Sequence, residues 1–162
     1  MLLCIRKKNA IMSENIRLDQ EKEECSMVHI IMGPEGSGKT KMLIDAIHQA
    51  LKEESGSMVC IEKGSTLRFD VDHRVRLIDA GEYALGSYTF LKGFISGLHA
   101  GNFDITHIFA DGLYKIAHCK DDSETEAFLN WCNQFSIAND VSFTFTMQGD
   151  PETAPGYMAK YF

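Results

Sequence analysis

The sequence contains no apolar run near the length of a membrane span, although 44% of its residues are hydrophobic. A transmembrane helix needs about 20 consecutive apolar residues. The first eight residues, MLLCIRKK, put their apolar side chains before their charges, which is the reverse of a signal peptide. We therefore expect a cytoplasmic protein with no membrane partner.

Paired cysteines are also lacking. The five cysteines are an odd number, and none of them forms a C-x-x-C pair. This pattern excludes a disulfide framework and a four-cysteine zinc site, and it is typical of reduced thiols in a cytosolic protein. The cysteines are Cys4, Cys25, Cys60, Cys119 and Cys132.

An excess of basic residues is absent as well. The chain has 16 Lys and Arg against 23 Asp and Glu, a formal net charge of −7. No global basic field favours nucleic acid, and we expect no nucleic-acid partner. The notable arginine cluster is Arg68, Arg74 and Arg76, which could contact phosphate or a second substrate, or could simply lie on the surface.

Two regions differ in composition. Residues 1–26 are expected to be a separate polar arm, either a frayed helix or a disordered segment, because the stretch 13–26 is polar and acidic and has little to bury. Residues 27–162 alternate apolar strands with amphipathic helices, which predicts a three-layer α/β/α domain with about five mostly parallel strands. The predicted core residues are Ile30, Ile31, Leu43, Ile47, Val59, Ile61, Leu77, Ile78, Phe94, Ile108, Phe109, Leu129 and Phe143.

The predicted elements follow from periodicity and from turn or capping residues. The strands are 28–32, 57–62, 75–79, 105–110 and 141–147, the last near a sheet edge because Phe143 and Phe145 alternate with polar residues. The helices are 40–51, 87–100 and 123–138, with a short terminal helix from Gly156. A turn or small hairpin is expected near 69–72, and Ser123 to Glu126 reads as a capping box.

The run from Gly33 to Thr40, GPEGSGKT, matches the phosphate-loop pattern G-x-x-x-x-G-K-[ST]. The glycines let the backbone turn its N–H groups toward phosphate oxygens, and the following helix presents its N-terminus to them. Lys39 would contact the β- and γ-phosphates, and the Thr40 hydroxyl would bind Mg²⁺. The predicted nucleotide-binding residues are Gly33, Pro34, Glu35, Gly36, Ser37, Gly38, Lys39, Thr40 and Lys41.

A magnesium partner is expected at the end of a neighbouring strand. The apolar run 105–110 ends at Asp111, whose carboxylate would hold a water on Mg²⁺. Thr40 and Asp111 are therefore the predicted metal residues, and Lys39 and Asp111 the predicted catalytic ones. Asp79, at another strand end, is a weaker candidate for the metal residue. Asp111 could instead serve only to open a turn with Gly112 at the end of its strand.

These two motifs make residues from about Met27 to Gln148 resemble the P-loop NTPase superfamily, with Walker A at 33–40 and Walker B ending at Asp111. The long interval between the motifs is similar to that of the RecA-like and thymidine-kinase-like branch, which has an extra strand between them. The domain also resembles short stand-alone bacterial ATP-binding proteins that are often labelled twitching-motility ATPase-like. The resemblance implies ATP and Mg²⁺ as ligands.

One departure from that branch concerns the residue after the Walker B aspartate. Many members carry a glutamate there that orients the attacking water, whereas this chain has Gly112. Glu35, Gln148 or Asp150 could replace it, or a neighbouring subunit could complete the site. The guanine-specifying sequence N-K-x-D is absent, which favours ATP over GTP.

Three functions remain open. The first is a slow ATPase or an ATP-dependent switch that acts on a protein partner or within a homo-oligomer. The second is a non-catalytic nucleotide-binding module. The third, a nucleoside-type kinase, is disfavoured because the chain has no arginine-rich lid after Asp111 and no cysteines for a zinc lasso.

Overall fold

The computed structural model describes residues 27–162, and the predicted arm at 1–26 lies outside them. Five strands and four α-helices are present there, followed by two short 3₁₀ segments at Pro151–Thr153 and Gly156–Tyr161. The strands are β1 (Val28–Gly33), β2 (Ser57–Glu62), β3 (Val75–Asp79), β4 (Ile105–Ala110) and β5 (Ser142–Gln148). The helices are α1 (Lys39–Glu53), α2 (Tyr88–Gly101), α3 (Leu113–Ala117) and α4 (Asp122–Asn139).

All neighbouring strands pair in parallel, in the order β1-β5-β4-β2-β3. The predicted parallel α/β sheet is thus confirmed. Its carboxyl ends share one edge, where ligands gather in open α/β sheets. β5 lies between β1 and β4, so the strand that precedes the glycine loop and the strand that ends at Asp111 are separated by one strand.

Helices cover both faces of the sheet and bury two apolar clusters. One cluster joins α2 and α4 to side chains such as Ile30, Val59 and Ile108. The other joins α1 to the residues that point the opposite way, such as Ile31 and Phe109. Because successive side chains of a strand alternate between faces, the same strands supply both clusters. The result is the predicted three-layer arrangement.

Several predictions about packing were wrong. β5 is an interior strand, and Phe143 through Met147 are all buried. The polar side chains that suggested an edge are satisfied by hydrogen bonds, since Thr144 Oγ1 lies 2.9 Å from His107 Nε2. Leu77 and Phe94 are only half-buried.

Local predictions also needed correction. The first-turn backbone of α4 is capped by Asp121, whose side chain accepts a hydrogen bond from Glu124 N at 2.9 Å, and not by Ser123. Of the two alternatives at residues 69–72, the turn is confirmed, since no strand forms there. The helix α3 was not predicted. Among the described residues, no helix combines the length and the apolar character that crossing a membrane requires.

Candidate functional site

The loop between β1 and α1 requires glycine at three positions. Gly36 and Gly38 have left-handed backbones, with φ of 77° and 82°, which L-residues with a side chain adopt at a cost. A β-carbon at Gly33 would collide with the Ser37 hydroxyl. The sequence therefore dictates this tight connection locally, and the first N–H groups of the 15-residue helix α1 face the loop with no capping side chain.

Lys39 folds back over this loop. Its Nζ donates a hydrogen bond to the Pro34 carbonyl oxygen at 2.6 Å and lies 3.5 Å from Ser37 Oγ. The ammonium group is thus held against the concave side of the loop without a carboxylate partner among residues 27–162. A phosphate oxygen could exchange for the carbonyl as the acceptor, and the bond would then become one between two charged groups.

Thr40 and Asp111 meet at the carboxyl edge of the sheet. The Thr40 hydroxyl lies 3.2 Å from Asp111 Oδ2, although 71 positions separate the two residues. Thr146 Oγ1 donates to Asp111 Oδ1 at 2.6 Å and accepts from Gly112 N at 2.7 Å. Thr146, on the interposed strand β5, therefore fixes the orientation of the Asp111 carboxylate.

A hydroxyl and a carboxylate oriented in this way fit the needs of Mg²⁺, which takes one or two protein oxygens and completes its shell with water and phosphate. Within residues 27–162, no group of three or more His, Cys, Asp or Glu side chains could hold a metal by itself. Thr40 and Asp111 would hold the ion together with a nucleotide, and the ion would then neutralise phosphate charge.

These groups line a cavity of about 620 Å³ that spans the ends of β1, β5, β4 and β2. Four lysines and three carboxylates face it, so the cavity is locally basic in a chain whose net charge is −7. The lysines are Lys39, Lys63, Lys115 and Lys120, and the carboxylates are Glu35, Glu62 and Asp111. One lysine more than the carboxylates, together with the N-terminus of α1 behind a glycine-rich loop, favours a polyanion such as a nucleotide phosphate chain.

The structure brings most of the predicted site residues to this cavity. Five members of the predicted loop line it, together with Asp111, Gln148 and the unpredicted Thr146. The five are Glu35, Gly36, Gly38, Lys39 and Thr40. Four further predicted residues lie outside the lining, namely Gly33, Pro34, Ser37 and Lys41.

Glu62 is the residue that sequence reasoning missed. It is the last residue of β2, is 3% exposed and lines the cavity. Its carboxylate accepts hydrogen bonds from Thr66 Oγ1 at 2.8 Å, from Thr66 N at 3.0 Å and from Leu67 N at 3.2 Å. The strand 57–62 was predicted correctly, so the available signal was an acidic residue at a strand end. Only the strand order shows that this end adjoins Asp111.

The other acidic candidates lie elsewhere or are engaged. Asp79 Oδ1 accepts from Gly64 N at 3.0 Å and Gly81 N at 2.8 Å, and these backbone donors, aided by Lys63, lower its pKa. Asp150 accepts from Glu152 N at 3.0 Å and thereby caps a 3₁₀ segment. Neither residue lines the cavity.

The arginine cluster also lies away from the cavity. The Arg74 side chain binds Asp72 at 3.1 Å, and this contact lowers the pKa of Asp72 to about 2. Arg68 and Arg76 are exposed. The interpretation of these arginines as surface residues therefore agrees with the geometry better than a role at the phosphates.

No protein-family model matches this chain, and a search of curated proteins found no relative of it.

Proposed function

We propose that the chain binds Mg-ATP in the 620 Å³ cavity and acts as a slow ATPase or ATP-dependent switch on a protein partner or within a homo-oligomer. The observation that carries the proposal is the 3.2 Å approach of the Thr40 hydroxyl to the Asp111 carboxylate, beside a glycine loop and Lys39. Two distant sequence motifs thus converge on one pair of oxygens suited to Mg²⁺. This is the arrangement that the resemblance to P-loop NTPases requires.

ATP is the expected nucleotide because the guanine-specifying sequence N-K-x-D is absent from the sequence. We place the activity in the cytoplasm, where ATP and Mg²⁺ are available and where thiols such as that of Cys119 stay reduced.

We expect slow turnover because the nearest buried carboxylate, that of Glu62, is already engaged in hydrogen bonds. Gly112 stands where a water-orienting glutamate would be, and its N–H is bonded to Thr146. We assign the general base to Glu62, which is buried at the neighbouring strand end, in preference to the exposed Glu35. Thr66 and Leu67 donate hydrogen bonds to its oxygens, so the loop at residues 66–67 holds the Glu62 carboxylate in place and limits its reach toward an attacking water.

The second candidate is a non-catalytic nucleotide-binding module, and the same observation favours it. If Glu62 stays bonded to Thr66 and Leu67 when nucleotide is bound, this buried carboxylate cannot orient an attacking water, and the exposed Glu35 is the cavity carboxylate left besides the proposed metal residue Asp111. The kinase remains third, because nothing among the described cavity residues adds an arginine to the phosphate site.

Calorimetry with ATP and GTP, with and without Mg²⁺, tests the binding, and phosphate release on the same sample tests turnover. We expect Asp111→Asn to weaken the Mg²⁺ dependence of ATP binding more than the affinity without metal, since the carboxylate acts through the ion. Asp79→Asn is the matched control, because it changes an acidic strand end outside the cavity. Equal Mg²⁺ dependence in wild type and Asp111→Asn would reduce Asp111 to a turn residue.

Glu62→Gln separates the two leading functions. If Glu62 is the general base, Glu62→Gln lowers phosphate release by about 10²- to 10⁴-fold, while ATP affinity changes much less. Glu126 is an exposed glutamate on α4, and Glu126→Gln is the control for the loss of one negative charge. If wild type binds ATP and releases no phosphate, the module is the correct description.

A further inference from the structure

A second cavity, of about 350 Å³, adjoins the first at the carboxyl edge. It lies between the loop after β2, the loop after β3 and the end of α3. Lys63 lines both cavities, so it stands between them. Apart from Lys63 and His118, the residues that line it are apolar or small, namely Ala80, Gly81, Ala84, Leu85, Gly86 and Ile116.

Two basic side chains meet at this cavity. Lys63 Nζ and His118 Nε2 are in direct contact, so the imidazole accepts a hydrogen bond from the ammonium group. In the described part of the chain, no carboxylate lies within ion-pair distance of Lys63. The neighbouring Asp79 uses Oδ1 for two backbone N–H groups. No carboxylate among residues 27–162 therefore bonds to both side chains, although the charge of Lys63 acts on the nearby Asp79.

The backbone around the cavity is held in an unusual conformation. Ala84 and His118 have φ of 52° and 51°, and both line the cavity. His118 directly follows the last residue of α3, and a left-handed backbone is a common way for a helix to end. Ala84 lies in a loop, where a residue with a side chain keeps this conformation only if its surroundings enforce it. Gly86 leaves room beside the imidazole, since a β-carbon there would lie 3.4 Å from His118 Nδ1.

We propose that the second cavity binds a small organic anion, whose carboxylate or phosphate lies against Lys63 and His118 and whose apolar body packs on Leu85 and Ile116. An anionic oxygen can accept a hydrogen bond from the Lys63 ammonium group and another from an N–H of the His118 imidazole, and charge-assisted bonds of this kind are the strong ones. The volume limits the ligand to a compound of small size. This site does not require a nucleotide in the first cavity.

Phenyl phosphate and phenylacetate are the probes, with benzyl alcohol as the neutral comparison, and binding is followed by calorimetry and by the NMR signals of the His118 ring. We expect saturable binding of at least one anion, and the tighter of the two identifies the head group. Affinity should fall about tenfold or more in Lys63→Met and in His118→Asn, because each loses a charge-assisted bond. Asparagine suits position 118 because it tolerates the left-handed backbone.

Two further variants locate the bound probe. Lys39→Ala should leave the affinity unchanged, whereas Gly86→Leu should remove binding by filling the cavity while the protein stays folded. Loss of binding in Lys39→Ala with retention in His118→Asn would assign the probe to the phosphate loop and overturn the proposal. Absence of binding, equal binding of benzyl alcohol, or full binding by folded Gly86→Leu would overturn it too. ATP calorimetry on the same variants reports separately on the nucleotide site.

Discussion

At the scale of single residues, the candidate site consists of groups that are held by their immediate neighbours. Gly36 and Gly38 supply the left-handed backbone of the loop, and Pro34 supplies the carbonyl that holds Lys39. Thr146 holds the Asp111 carboxylate at 2.6 Å. These contacts orient the charged groups before any ligand arrives, so little ordering entropy is lost on binding.

Lys39→Ala is expected to weaken Mg-ATP binding by about 100-fold, since it removes at least one charge-assisted hydrogen bond worth about 1.5–3 kcal/mol. The free energy of unfolding should hardly change, because the side chain is only half-buried. Calorimetry measures the affinity. Lys52→Ala, an exposed lysine in the last turn of the same helix, is the control. Wild-type affinity in Lys39→Ala would remove the phosphate-loop assignment.

Residues of the loop and Asp111 could be predicted because the pattern is local and each fixed position has a chemical role. Glu62 could not, because its importance depends on a strand that neighbours β4 only in the folded sheet. Lys63 and His118 are 55 positions apart, and neither belongs to a recognisable motif. Sequence reasoning therefore found the residues with a signature and missed those brought together by topology.

At the scale of elements, boundaries follow the capping and turn chemistry closely. β2, β3 and β4 have the predicted bounds, and α2 begins after Ser87, whose hydroxyl accepts from Phe90 N at 3.2 Å. The start of α4 is the exception. The pattern from Ser123 to Glu126 satisfied the capping-box rule, yet Asp121 lies two residues earlier and accepts from Glu124 N.

Asp121→Ala should therefore lower the free energy of unfolding by about 1 kcal/mol, within the range of about 0.5–2 kcal/mol for the loss of a helix N-cap. Ser123→Ala is the matched control and should change it by less than about 0.5 kcal/mol. Denaturant unfolding of the two variants measures the difference. If Ser123→Ala lowered the free energy of unfolding more than Asp121→Ala does, Ser123 would be the N-cap, as the capping-box pattern predicts.

At the scale of the whole molecule, the strand order decides what is buried. β5 occupies the interior between β1 and β4, and Phe145 has no exposed surface. By contrast, Phe90 of α2 is 67% exposed. Phenylalanine side chains therefore have opposite environments in β5 and α2, although both elements appear amphipathic in the sequence.

Phe145→Ala should lower the free energy of unfolding by about 3–5 kcal/mol, because it removes a large side chain and leaves a cavity. Phe90→Ala, the matched control, should change it by no more than about 0.5 kcal/mol, since most of that ring is already in water. Chemical denaturation of both variants gives the comparison. Similar losses in the two variants would contradict the interior position of β5.

The sequence by itself determined the class of fold, most strand bounds and the glycine-dependent turn at residues 33–40, and it is the source of the chemistry proposed for Lys39, Thr40 and Asp111. Each of these depends on residues close together in the chain, through backbone conformation, hydrophobic periodicity or capping. Only the tertiary structure decided that β5 separates β1 from β4, that Glu62 faces the same cavity as Asp111, and that Lys63 meets His118. The physical reason is that strand order is fixed by packing between distant segments, which no local pattern encodes.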